Sequence, residues 1–252
     1  PFSRKTRAWG QAERALQPMS ANRVGADPLA AGKQAGSVQA SRQTRARFYT
    51  LPQFWAILAL LLLPFVLFWP VWWPGDALRR TFAFGDFVEQ YYPMRAFVAG
   101  EWRSGRLPLW DPYTYAGTPA AAASLYAAFY PLGLWLAVFK PPFPFAALEV
   151  EAILHLGLAG VFTLLFVRRL TGRTGAGLIA GLAFGLGGFL TSYPLLQLGI
   201  LESAVWLPAG LWLIEGGLAK QDARRIALGG IAFACGLLAG HPQIFLYSVY
   251  VT

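Results

Sequence analysis

Past residue 50 the sequence is a series of apolar stretches separated by short polar turns. The first runs from Phe54 to Trp73 without a charge, and others follow at about 126–139, 147–167, 175–193, 199–217, 226–240 and 243–252. A helix of about 20 apolar residues spans a bilayer, so the pattern predicts an all-α polytopic membrane protein. Pro64 and Pro70 fall inside the first stretch, where neighbouring helices and water can re-satisfy the freed carbonyls. Trp69, Trp72 and Trp73 then supply an interfacial belt. No small-residue cleavage site follows, which marks a retained anchor rather than a signal peptide. The 126–139 stretch differs: it is short, contains Pro131 and is followed by Pro141, Pro142 and Pro144, which suits a half-length or interfacial helix. Gly177, Gly181 and Gly185 recur every fourth residue, and Gly236 and Gly240 repeat the spacing, so helix backbones are expected to approach closely there. Gly185-Leu186-Gly187-Gly188 is no phosphate loop, since no strand precedes it and no Lys-Ser/Thr follows.

Composition agrees with lipid as the solvent. Of 252 residues, 56% are hydrophobic and 13% charged, against about 45–50% and about 25% in soluble domains. Cys235 is the single cysteine, so no intrachain disulfide can form. Much of the net charge of +9 sits in residues 1–50, where nine Lys and Arg face only Glu13 and Asp27. That tail has no interleaved aromatics and no nucleic-acid motif, and it abuts a hydrophobic helix. It reads as a disordered cytoplasmic segment facing anionic lipid rather than as a nucleic-acid-binding arm. The chain opens on Pro1, Met19 can serve as an internal start, and the 243–252 stretch stops without a cap; the expectation is the N-terminal piece of a longer protein. If 126–139 does not cross, Arg168, Arg169 and Arg173 fall on the same side as the basic tail, with Lys220, Arg224 and Arg225, as the positive-inside rule asks. Residues 74–146 then form one large outer loop, on the same face as the 194–198 and 240–243 turns. Residues 51–252 form the membrane domain.

The candidate chemistry lies in that loop and those turns. Asp86 and Glu89 stand three apart in Gly85-Asp86-Phe87-Val88-Glu89-Gln90. On one helical turn they would share a face and could divide base and acid work or ligate a metal. The plainer reading has Asp86 capping a short helix and Glu89 solvated or paired with Arg95. Arg79, Arg80, Arg95 and Arg103 are cations that could clamp an anion, or surface residues and carboxylate partners. His241, at a helix end beside Pro242 and Gln243, could hold a phosphate, a carboxylate or a metal, or only a helix-end hydrogen bond. Glu202, just inside an apolar helix, needs a partner or a water-filled cavity. His155, alone on an apolar helix, reads as a packing residue. The aromatic side chains of the loop suit the headgroup zone and also carbohydrate faces.

Five motifs occur in order: Gly85-Asp86 through Gln90-Tyr91-Tyr92-Pro93, Leu107-Pro108-Leu109-Trp110-Asp111-Pro112-Tyr113, Ala116-Gly117-Thr118-Pro119, Phe129-Tyr130-Pro131-Leu132, and Gly240-His241-Pro242-Gln243. Together they resemble the bacterial membrane protein YfhO family, of the GT-C glycosyltransferase type, over about residues 51–252. The resemblance implies a GT-C-like helical bundle in the bacterial plasma membrane, its large first outer loop carrying short interfacial helices. It further implies transfer of a sugar from a polyprenyl-phosphate donor to a cell-envelope glycopolymer or lipid acceptor. The family keeps an essential acidic residue in this loop, and Asp86 takes that position as general base. Substrate contacts are expected from Glu89, Gln90, Arg95, Asp111, Glu202, His241 and Gln243. A divalent cation or Arg and Lys side chains would stabilise the departing phosphate. The alternatives are a transporter or flippase of lipid-linked or hydrophobic cargo, and a non-catalytic membrane subunit.

Overall fold

The computed structural model describes residues 52–73, 80–82, 85–141 and 143–252. The basic tail, and Arg79 with it, lie outside the described residues. The regular elements among them are all helical, with no strand beyond a single antiparallel bridge between Asp111 and Thr118.

The first apolar stretch folds as helix α1, Pro52–Leu67. A separate single turn, Trp69–Trp72, follows. Pro70 sets the break, because it lacks an N–H and its ring collides with the carbonyl four residues back. Pro64 sits inside α1 without ending it, and its carbonyl accepts from the Phe68 amide at 2.9 Å.

The loop then builds a π-helical turn, Phe87–Tyr91, running directly into α2, Tyr92–Arg103. Pro93 explains the wide turn: it has no N–H to close an ordinary helical bond and would crowd the carbonyl of Glu89, and a π-turn relieves both. The expected half-length element is there as two 3₁₀ segments, Ser124–Tyr126 and Pro131–Val138, both far too short to cross a bilayer.

Among the described residues, three helical segments are long and apolar enough to cross a membrane: α3 at Phe145–Thr171, the stretch Thr174–Thr191, and α5 at Leu198–Lys220. The second is not continuous. Its main helix α4, Thr174–Gly185, ends before Leu186-Gly187, and single turns at Gly188–Thr191 and Tyr193–Leu196 lead into α5. Two shorter helices follow, α6 at Ala223–Leu238 and α7 at Pro242–Tyr250. The Asp222 side chain caps α6 by accepting from the amides of Arg224 and Arg225.

In sequence, α4 packs along α3, α3 along α5, and α5 along α6. The small residues set these contacts. A methyl group at Gly181 would lie 2.6 Å from the Gly160 carbonyl oxygen, and one at Gly185 would lie 2.8 Å from the Gly160 amide nitrogen. The α3–α4 seam is thus backbone against backbone, the means by which helices gain van der Waals contact where lipid removes any hydrophobic drive. Gly236 backs onto Trp206 and Ser203 of α5 in the same way. Gly240 does not continue that stripe. It turns the chain at a φ of +102° between α6 and α7, a conformation suited to glycine.

Gly181→Val should therefore separate α3 from α4, lowering stability by about 1–3 kcal/mol through overpacking. Gly175→Ala, where an added methyl meets nothing within 4 Å, should be neutral. Unfolding midpoints of the two variants in the same detergent check this.

Candidate functional site

Two polar groupings sit where the loop meets the first turns of α3 and α5, and Tyr91 lies between them.

The first is built on Asp86, half-buried at the start of the π-turn. One carboxylate oxygen accepts from the Gln90 amide at 2.9 Å, and the other accepts from the amide of Gln197, immediately before α5. Gln197 in turn accepts from the Tyr91 hydroxyl at 3.2 Å. Burial, opposed by hydrogen bonding from the Gly199 backbone and the Arg95 charge, pushes the Tyr91 phenol up to about 12, so it remains a donor. A methyl on Gly199 would contact the Tyr91 hydroxyl, the Ala239 carbonyl and Gly240. The loop, the start of α5 and the turn before α7 therefore converge on one spot.

Asp86 caps nothing with its side chain, despite its position before the turn. Glu89 is exposed, and neither carboxylate oxygen of Asp86 is shared with it. His241 caps α7 by accepting from the Ile244 amide at 3.4 Å, and burial holds its imidazole below the usual range, so it is neutral at pH 7. Gln243 is exposed and donates to the Tyr247 hydroxyl at 2.6 Å.

The second grouping is fully buried. Arg95, on the inward face of α2, forms an ion pair with Glu202 in the first turns of α5. Their exposures are 2% and 0%. Arg95 is thus not the partner of Glu89. Glu151 and His155, four apart on α3 and both 0% exposed, complete the cluster. His155 Nδ1 lies 2.7 Å from the Glu151 carbonyl, which can only accept, so Nδ1 carries the proton. Nε2 is then left to accept from the Tyr130 hydroxyl at 2.7 Å, and Tyr130 accepts from the Trp206 indole N–H at 3.0 Å. Gly133 leaves the space: a methyl there would lie 3.0 Å from the Arg95 guanidinium and 3.4 Å from Glu151.

Asp111 is placed elsewhere, inside the loop. Its carboxylate accepts from the Tyr113 amide and the Thr114 and Tyr126 hydroxyls, each at 2.8 Å, while its backbone pairs with Thr118. Burial opposes its ionisation, but these bonds outweigh it and hold the carboxyl below the usual range. Asp111 braces the loop. Of the other loop arginines, Arg103 is tied to the Val138 carbonyl at 3.0 Å and Arg106 to Glu101, whereas the Arg80 side chain is exposed.

Among the described residues, Glu151, His155 and Glu202 form one group with donor atoms within 4.8 Å of one another. Its fit to a divalent ion is poor: the guanidinium occupies one Glu202 oxygen and the Tyr130 hydroxyl occupies His155 Nε2. Sequence reasoning selected Arg95 and Glu202 but missed Glu151, Tyr130 and Gln197 and took His155 for packing. The available signal was Glu151-x-x-x-His155 on an apolar helix, because ionisable groups are rare in such helices and mark function or pairing. No protein-family model matches the chain, and neither a curated protein nor a solved structure matches it.

Arg95→Met should lower stability by about 3–5 kcal/mol, since it leaves a buried carboxylate uncompensated. Adding Glu202→Met should recover part of that loss, which a double-mutant cycle in detergent unfolding measures. The Asp111 contribution is complete above the ordinary Asp value of about 3.9. It is lost as pH falls through the lower folded-state value, so hydrogen exchange across 107–126 should accelerate in that window and Asp111→Asn should exchange fast at every pH.

Proposed function

We propose that this protein is a membrane glycosyltransferase of the GT-C type, moving a sugar from a polyprenyl-phosphate donor to a cell-envelope acceptor on the outer face of the bacterial plasma membrane. The observation that carries this reading is the setting of Asp86, a half-buried carboxylate held by one amide donor on each oxygen. A carboxylate offers about four lone-pair sites, so two stay free for an incoming hydroxyl. In an inverting transfer that carboxylate takes the acceptor's proton as the oxygen attacks the anomeric carbon and the lipid phosphate departs. Fixing both oxygens beforehand removes reorganisation from the step. The loop resemblance supports the same assignment, and Gly240, next to His241, packs against Gly199 two residues past Gln197. Arg80 is the cation left to face the phosphate among the described loop arginines, since Arg95, Arg103 and Arg106 are committed elsewhere.

The buried Arg95–Glu202–Glu151 cluster favours a second reading, a transporter or flippase with charged groups inside its helices. Its depth argues for the first. Glu151 and Glu202 lie about 9 Å and about 6 Å of helical rise from the starts of α3 and α5, short of the roughly 15 Å that reaches a bilayer midplane. Asp86→Asn keeps the shape and should lower transfer from a polyprenyl-phosphate sugar by at least about 100-fold, the lower bound for losing a general base, with membrane insertion intact. Unchanged transfer would remove Asp86 as base. Translocation of the labelled lipid without transfer, in proteoliposomes of the full-length protein, would instead support the flippase.

A further inference from the structure

The buried cluster is incomplete as an ion pair. Two carboxylates, Glu151 and Glu202, share one guanidinium, Arg95, with all three side chains at 2% exposure or less. Both oxygens of Glu151 and Oε1 of Glu202 lack any donor. An oxygen of each carboxyl group lies within 4.8 Å of an oxygen of the other. As carboxylates both only accept, so as fully ionised groups they would repel across that gap with a net charge of −1 sealed from water.

Among the described residues, nothing packed against the pair supplies the missing positive charge. The π-turn and α2 bring Tyr91 and Arg95, and the 3₁₀ segment brings Gly133, with Tyr130 immediately before it. From α3 come His155, whose two ring nitrogens are already engaged, and Glu149, which accepts from the Phe82 amide at 3.1 Å. From α5 comes Trp206, donating to Tyr130. A divalent cation would overshoot to +1 beside a buried guanidinium and would have to displace Tyr130 to gain His155 as a ligand. A proton balances the charge, needs no volume, and turns two repelling acceptors into a donor and an acceptor.

We propose that Glu151 and Glu202 hold one proton between them, so that the junction of α2, α3 and α5 is a proton-binding site. The bound proton lets both carboxyl groups stay buried against Arg95, and so locks the loop helix α2 onto two apolar helices. The site is separate from Asp86 and does not rest on the glycosyltransferase reading.

The test is infrared spectroscopy of the full-length protein in lipid nanodiscs at pH 7. The expected spectrum contains the carbonyl stretch of a protonated carboxylic acid, shifted when the protein is made with ¹³C-carboxyl glutamate. The band should vanish in Glu151→Gln and in Glu202→Gln, and should persist in Asp111→Asn. Absence of the band in the unaltered protein overturns the proposal even if both Gln variants fail to fold. Persistence in either folded Gln variant also overturns it. So does elemental analysis that finds one divalent metal per chain, lost in Glu151→Gln, because a cation would then occupy the gap.

Discussion

The constraint on which the rest depends is the burial of the Arg95 guanidinium. Removing an ion from water costs several kcal/mol even after relaxation, so a guanidinium at 2% exposure must find its carboxylate. Glu202 meets that demand, and it does so only if α2 lies across the first turns of α5. One polar contact thereby fixes where a largely polar loop docks on a set of apolar helices, a task that nondirectional apolar contact performs poorly. The surrounding shell is apolar and aromatic, with Phe87, Leu148, Ala152, Leu198 and Leu201 all at 0% exposure. Such a shell raises the cost of any misplacement, because a slipped Arg95 would face carbon rather than oxygen.

The same docking sets the position of Asp86. Between Asp86 and Arg95 the backbone passes through the π-turn forced by Pro93, so the two side chains are in a fixed relation along one continuous helical segment. Tyr91 reinforces it from within, bonded to Gln197 on one side and packed in the core on the other. Asp86 then meets Gln197, the residue immediately before α5 and only five positions before Glu202. The buried ion pair holds rigid a second carboxylate that itself stays half-exposed.

Much of this was legible in the sequence at the level of elements. Apolar period and length were enough for α3, α4 and α5, and the prolines of 126–144 correctly argued against a full span there. The Gly177, Gly181 and Gly185 stripe was readable because backbone contact admits no side chain. The break at Pro70 and the π-turn at Pro93 were less so: a proline announces a disturbance, but which of kink, break or wide turn results depends on what packs around it. The site was half legible. Asp86, Arg95 and Glu202 stand out as ionisable groups in an apolar chain, yet their partners lie 111 and 107 residues away for the Asp86–Gln197 and Arg95–Glu202 pairs. No local pattern carries such a pairing. His155 looked inert because its roles are filled by Tyr130 and by the Glu151 backbone, and neither is a sequence motif.

The two groupings differ in one physical respect that suits them to different work. Asp86 keeps contact with solvent and, among the described residues, accepts only neutral amide donors, so its charge is oriented without being cancelled, the state that the proposed base requires. Glu202 has its charge cancelled by a guanidinium in a sealed volume, where taking up a proton at one oxygen alters the balance of the whole cluster. Exchanging the two settings would serve neither role. A solvated Glu202 would loosen its hold on α2, because exposed ion pairs contribute only about 0–1 kcal/mol, and a sealed, guanidinium-bound Asp86 would be too weak a base and out of an acceptor's reach. The separation of a solvent-facing carboxylate from a sealed one, with Tyr91 between the two groupings, is the feature of this fold that its apolar pattern alone does not express.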